Sequence, residues 1–390
     1  MKEYSAEKDG RSRVVLAPCD TYEEEAVYQS LKAGMECLGG MGALIKPEEK
    51  VLLKPNLVRK AKLSRAVVTH PAVMGAAARL LKEAGIQEIM AGDSCGVGAA
   101  TAAAAAVGMD VVLKKYEVPL VDFTGMGAVP YEEGVQAKSF FVSKEVLEAD
   151  AIINVCKMKT HALERVTGAV KNMYGCIYGL HKAKGHTLYP SADSFARMLT
   201  DLNQFLAPRL YIMDGIMAME GNGPTSGDPV PMNMLLISQD PVALDSVFCR
   251  LISLKAELVP TNYHGEKLGL GVWQEERIRL ILAGEEGFGE ISMDEAARRF
   301  GKADFDVDRR RVKRDFWVRM GRFFNVFQKK PCVDKDRCVK CGVCVESCPV
   351  EGKALTFKNG PKEPPVYDYK KCIRCFCCQE MCPHKAIKVC

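Results

Sequence analysis

Residues 51–56 read Val-Leu-Leu-Lys-Pro-Asn, and residues 88–94 read Glu-Ile-Met-Ala-Gly-Asp-Ser. Each is a short, continuously apolar run that stops abruptly at polar and turn-forming residues. A strand with one face in water alternates apolar and polar residues, whereas a strand buried on both faces, as in a parallel sheet, does not. A helical pattern covers residues 71–84 between the two runs, and upstream a strand at 14–17 leads into a helix reaching about Leu38. This βαβα order predicts an α/β fold, with mostly parallel sheet or sheets and flanking helices. In open α/β sheets the ligand crevice lies just beyond the carboxyl ends of the strands, which singles out Lys54-Pro55-Asn56 and Gly92-Asp93-Ser94.

The same punctuation returns at 151–155, 210–213 and 234–237, compatible equally with a second sheet or an extension of the first. Residues 157–185 are rich in Lys, His and Gly, a composition unsuited to packing in either strand or helix, and are expected to be a site-forming loop region. The alanine run 101–106 reads as a packed helix. No GxGxxG fingerprint follows the first strand; Gly39-Gly40-Met41-Gly42 instead closes a helix, which argues against intrinsic NAD or FAD binding.

The chain has 390 residues, 48% hydrophobic and 26% charged, the profile of a globular protein of two or three domains. No apolar stretch approaches the roughly 18 residues that a membrane-spanning helix needs, and the polar start Met1–Arg13 carries no leader-like apolar core. A cytoplasmic location is expected. The net charge of +5 is small for this length and is concentrated in one place only, the arginine-rich stretch after Asp304, so no nucleic-acid partner is expected.

Of seventeen cysteines, eleven fall between Cys332 and Cys390. Cys338, Cys341, Cys344 and Cys348-Pro349 repeat, 34 residues on, as Cys372, Cys375, Cys378 and Cys382-Pro383. In this x2-x2-x3 spacing three thiolates wrap one 4Fe-4S cubane while the fourth reaches across to the other. The first cluster then takes Cys338, Cys341, Cys344 and Cys382, and the second takes Cys372, Cys375, Cys378 and Cys348. Zinc knuckles, the rival for paired CxxC units, do not use this order. The last 60 residues or so thus resemble bacterial two-cluster ferredoxins, which implies two 4Fe-4S clusters, a small α+β fold with pseudo-two-fold symmetry, and one-electron transfer.

A second set of phrases lies upstream: Lys54-Pro55-Asn56, Thr69-His70-Pro71, Gly92-Asp93-Ser94, Lys159-Thr160-His161, Val166 to Asn172, Asp214-Gly215, Glu220 to Pro224 and Asp240 to Asp245. Over roughly residues 14–270 the chain resembles the family called domain of unknown function 362. The resemblance implies an N-terminal site built from these phrases. Lys157, Lys159, His161, Lys171, His181 and His186 gather cations and proton carriers, so a small anionic substrate is expected, with Lys159, His161 and Lys171 as catalytic candidates. Lys54, Asn56, Asp93, Thr160, Thr167, Gly168, Asn172, Asp214, Glu220 and Asn222 are candidates for binding it. Asp93, Asp214 and Glu220 are open to three roles, metal binding, acid chemistry or helix capping, and capping is the plain alternative for Asp93 and Asp240.

The expected organisation is an α/β domain over 1–303 of one or two subdomains, a basic amphipathic linker helix over 304–330, and the ferredoxin module over 331–390. An iron–sulfur oxidoreductase of anaerobic metabolism, exchanging electrons with a soluble partner such as ferredoxin, is the leading reading. Two alternatives accompany it: an electron carrier or scaffold without its own chemistry, and a metal- or cofactor-handling protein. For the latter, a histidine followed by Thr-Gly-x-x-Lys is faintly similar to racemases that hold a nickel pincer nucleotide on a lysine, which would be Lys171. None of these motifs encodes the oligomeric state.

Overall fold

The computed structural model describes residues 10–96, 98–179, 181–284, 287–310, 329–358 and 360–390. Most of the expected linker helix, residues 311–328, lies outside them.

The strands are β1 (Ser12–Pro18), β2 (Val51–Lys54), β3 (Ile89–Asp93), β4 (Leu120–Asp122), β5 (Ala151–His161), β6 (Arg165–Thr167), β7 (Leu210–Glu220), β8 (Asp228–Ser238), β9 (Ile278–Gly284) and β10 (Gly287–Glu290). They form one sheet in the order β10-β9-β1-β8-β7-β5-β2-β3-β4, with β6 folded back on β5. The later strands extend the first sheet and do not build a second. The half from β7 through β5, β2 and β3 to β4 is parallel, and antiparallel pairs bring in β8, β10 and β6.

Successive residues on the strands feed opposite apolar layers, the period of two expected of a pleated sheet covered on both sides. Leu52, Ile152, Met213 and Leu236 face one layer, joined by Phe195 and Leu199 of α3 (Ala192–Leu206) and Phe248 of α4 (Pro241–Leu251). Leu53, Ile153, Ile212 and Ile237 face the other, joined by Leu31 of α1 (Glu24–Glu36) and Leu81 of α2 (Pro71–Glu83). Both α2 and α4 start with proline behind a side-chain cap, His70 and Asp240 respectively, since a first-turn residue has no helical partner for its N–H. Among the described residues no helix is long and apolar enough to cross a membrane.

The expected loop at 157–185 is largely regular structure. Lys157–His161 continue β5, Arg165–Thr167 return as β6, Ala169–Asn172 make one helical turn and His181–Leu188 a short helix. The buried Lys157, Lys159 and His161 are tolerated because each meets a partner from a distant part of the chain.

The cysteine-rich tail folds as a small unit of two short antiparallel pairs, Pro331–Val333 with Ile387–Val389 and Leu355–Thr356 with Val366–Tyr367, plus helical turns at Val343–Glu346 and Cys377–Met381. It packs against the strand ends of the large sheet.

Candidate functional site

At the carboxyl ends of the parallel strands, charged residues sit side by side. Lys54, last in β2, is fully buried; its Nζ lies 2.9 Å from Asp93 Oδ1, last in β3, and it also donates to Pro55 O. The other Asp93 oxygen accepts from the Leu57 backbone N–H at 2.7 Å. Asp93 is thus an ion-pair partner and not a helix cap, whereas Asp240 is a cap, accepting from Val242 and Ala243. Directly across β5 and β7, Lys157 pairs with Asp214 at 2.7 Å, and Tyr22 and the His70 backbone complete that carboxylate's partners.

Lys159 is fully buried without an acidic partner at bonding distance. Its Nζ donates to Asn56 Oδ1 at 2.6 Å and Val67 O at 2.7 Å. Asn56 in turn donates to Asn172, and Asn172 to Asn154, so a chain of amides runs beneath the site. Burial, reinforced by the neighbouring Lys171 and Lys157 charges, pulls the Lys159 ammonium well below its usual range.

Lys171, on the helical turn Ala169–Asn172, forms no hydrogen bond among the described residues, and its charge acts on Lys159, His161, Lys182, His186 and Glu380. That turn is fixed from below: Asp245 of α4 accepts from the Ala169 and Val170 N–H groups. A side chain at position 168 would strike Asp245 Oδ1, its Cβ only 2.0 Å away, so glycine is required there by close approach. Burial raises the Asp245 carboxyl to about 7. Lys182 lies in the same region, bonded to Ser94 O and brought down to about 8 mainly by burial.

His161 is held by its neighbours. Its Nδ1 accepts from the backbone N–H groups of Leu163 and Glu164 at 3.2 and 3.0 Å, which leaves the ring proton of the neutral form on Nε2. Nε2 lies 2.9 Å from Glu380 Oε1 in the cysteine-rich unit, at pairing distance though off the line of a straight hydrogen bond. Burial lowers the His161 pKa, with Lys171 adding to it. Burial alone would raise Glu380, but Lys171, His161 and His186 outweigh it and hold the carboxylate ionised. His186, stacked on Phe195, is brought down to about 4 by burial.

Glu380 lies between Cys378 and Cys382, so the second cysteine motif is seated directly on this group. Gln379 beside it donates to Asn222 O, Asn222 Oδ1 and Gly223 O at 2.9–3.0 Å. Thr225 donates to Glu380 O, Asn222 to Ile387 O, and Lys385 pairs with Asp228. Asn222 therefore serves the seam between the two units, and Thr160 anchors the same loop through Gly221 O and Gly223 N. Glu220 is at the outer rim, accepting from the Asp306 N–H. Thr167 is buried on β6, and Asp214 belongs to the Lys157 cluster. Lys159, His161, Lys171, Asn56 and Asn172 come together, with Lys54 and Asp93 adjoining. Glu380, Lys182 and Asn154 are not singled out by any motif; the sole available signal was an acidic residue at the same place in both motifs, Glu346 and Glu380, with only the second buried.

The eight motif cysteines form two groups. Cys338, Cys341, Cys344 and Cys382 line one cavity, closed by Val333, Ala386 and Ile387. Cys372 neighbours Cys375 and Cys348, and Cys378 neighbours Cys375 and Cys372. Backbone N–H groups of Ala354 and Ala386 donate to the sulfurs of the two crossing cysteines, Cys348 and Cys382, both at 3.3 Å. Thiols around a cavity with N–H···S donors suit an iron–sulfur cubane. Among the described residues no three metal-binding side chains converge as a single ion would require. Cys341 is exposed, whereas Cys375, Cys378 and Cys348 are buried.

The profile described as domain of unknown function (DUF362) matches residues 51–250, and that of a 4Fe-4S dicluster domain matches residues 337–386. A thylakoid-associated protein of Synechocystis sp. is 39% identical over 258 residues, which is 66% of this chain and 79% of that protein. A solved structure from Thermotoga maritima shares 13% identity at a TM-score of 0.37, covering 65% of this chain and 60% of that one. The lactate racemase apoprotein of Thermoanaerobacterium thermosaccharolyticum shares 13% at 0.38, covering 63% and 58%. The chain thus spans about three fifths of each solved structure.

Proposed function

We propose, from the premise that the chain belongs to the DUF362 family and carries a 4Fe-4S dicluster domain, that it is an oxidoreductase reducing a small anionic substrate held at Lys171. An iron–sulfur electron-transfer role follows from the dicluster domain itself. On this reading Cys338, Cys341, Cys344 and Cys382 hold one cluster, and Cys372, Cys375, Cys378 and Cys348 hold the other. Bound there, the clusters supply electrons one at a time.

The observation that carries the reading is the contact of Glu380 with His161, which seats the second cysteine motif on the Lys171 group. Electrons enter at the exposed Cys341 side, where Lys335, Arg337 and Lys340 suit an acidic soluble donor of ferredoxin type. Lys171 holds the anion. Lys159, spent on Asn56 and Val67, fixes the floor of the site, and His161 carries a proton at Nε2. Lys54 and Asp93 neutralise each other and keep the strand ends rigid.

The test is anaerobic purification followed by identification of the anions released on denaturation. The reading expects a stoichiometric small anion that is absent from Lys171→Ala while iron content is kept. An anion retained by that variant, or none in the parent protein, overturns it.

A further inference from the structure

Three cysteines of the tail stand outside the two motifs: Cys332, Cys377 and Cys390. Cys377 is buried beside Cys375. Cys332 is half-exposed and Cys390 exposed, and they lie on the two chains that pair as Pro331–Val333 with Ile387–Val389. Cys332 stands opposite Lys388, while Lys330 and Cys390 exchange both backbone hydrogen bonds, at 3.0 and 2.9 Å. Residues two apart on a strand point to the same face. Cys332 and Cys390 are therefore diagonal neighbours on one face. Tyr369 closes the third side, its hydroxyl 3.6 Å from Cys332 Sγ and donating to Pro331 O at 2.9 Å.

We propose that Cys332 and Cys390 are a redox-sensitive pair that closes to a disulfide across this ladder, a modification site separate from the eight motif cysteines. The assignment rests on the reading that those eight are occupied by clusters. The oxidant is a small-molecule disulfide. The Cys390 thiolate attacks one of its sulfurs and expels one thiolate; Cys332 attacks the resulting mixed disulfide and expels the second. The protein thiols together give up two electrons and two protons, and the oxidant leaves as two thiols. Diagonal cross-strand pairs start just beyond ordinary disulfide reach, so closure has to draw the ladder tighter and the bond stays reducible, as suits a switch.

The ladder has a second neighbour. Val333, Ala386 and Ile387 wall the cavity of Cys338, Cys341, Cys344 and Cys382, so a bond across the strands fastens one side of that cavity. The oxidised protein is expected to release iron to a chelator more slowly than the reduced one.

The experiment treats the anaerobically prepared holoprotein with oxidised glutathione, alkylates the remaining thiols and maps peptides by mass spectrometry while following iron. The expected result is a peptide linking Cys332 to Cys390, loss of both alkylation sites, unchanged iron and slower chelation, with the link and the slowing both lost in Cys390→Ser. Recovery of both cysteines alkylated, or each joined to glutathione without a link, overturns the proposal. A preparation without iron overturns the cluster assignment instead, and the peptide map still decides the link.

Discussion

Glu380 Oε1 and His161 Nε2 lie 2.9 Å apart, and they belong to the two different units of the chain. The histidine cannot turn away, because Leu163 and Glu164 hold its Nδ1. The glutamate cannot withdraw either, since Gln379 beside it is clamped by Asn222 and Gly223 and its own carbonyl by Thr225. The seam is therefore held from both sides by fixed side chains, and it sets which cysteine motif faces the Lys171 group.

Replacing Lys171 with alanine is expected to abolish anion binding and turnover, yet leave reduction of the tail by dithionite unchanged. His161→Gln is expected to be milder, because positioned proton transfer contributes typically about 10²–10⁴-fold and water replaces part of it. Steady-state rates beside the absorbance change on reduction check both; equal activity in Lys171→Ala and the parent would refute the assignment.

Gln379→Ala leaves three acceptors on Asn222 and Gly223 without their donor. The expected cost is about 2 kcal/mol, concentrated at the seam. Hydrogen exchange should speed up in residues 221–227 while the centre of β5 stays protected. Uniform change across the chain would mean the contact is not a local clamp.

Iron analysis of the anaerobically reconstituted protein is expected to give about eight irons and eight sulfides. Cys341→Ser combined with Cys375→Ser should lower this sharply, one ligand having been removed from each group. Stoichiometric zinc in place of iron would end the cluster reading.

His186, with its pKa near 4 in the folded chain, should make stability fall as the medium is acidified. The unfolded imidazole takes a proton below about 6.5 and the folded one resists until about 4. Stability contributed by the neutral ring is therefore full above the higher value and is lost on the way down. Between about pH 7.5 and 5.5 the loss from this residue should be on the order of 1 kcal/mol. Urea titrations at both pH values, compared with His186→Phe, read it directly; an identical pH slope in the variant would count against the assignment.

The strands of the parallel half were legible because burial on both faces leaves unbroken apolar runs such as residues 51–53. The motif cysteines were legible because a 4Fe-4S motif places three of its four cysteines in one short loop. Residues 157–161 were not readable as strand: their buried polar side chains depend on Asp214, Asn56 and Glu380, partners far away in sequence. The same non-locality hid Glu380, and it separated Asn222 from the anion group to which its family phrase had assigned it.

The duplicated cysteine motif carries one further consequence. Val345-Glu346-Ser347 and Gln379-Glu380-Met381 occupy equivalent places in the two copies, yet Glu346 is open to solvent and the second trio is wholly enclosed. The halves have thus parted in duty: one copy remains a free surface, and the other has become a plug shaped to its socket. Cutting out the tail as a stand-alone carrier would expose Gln379 and Met381 together with the carboxylate, so an excised version should be soluble only after those three positions are recast in the likeness of the first copy.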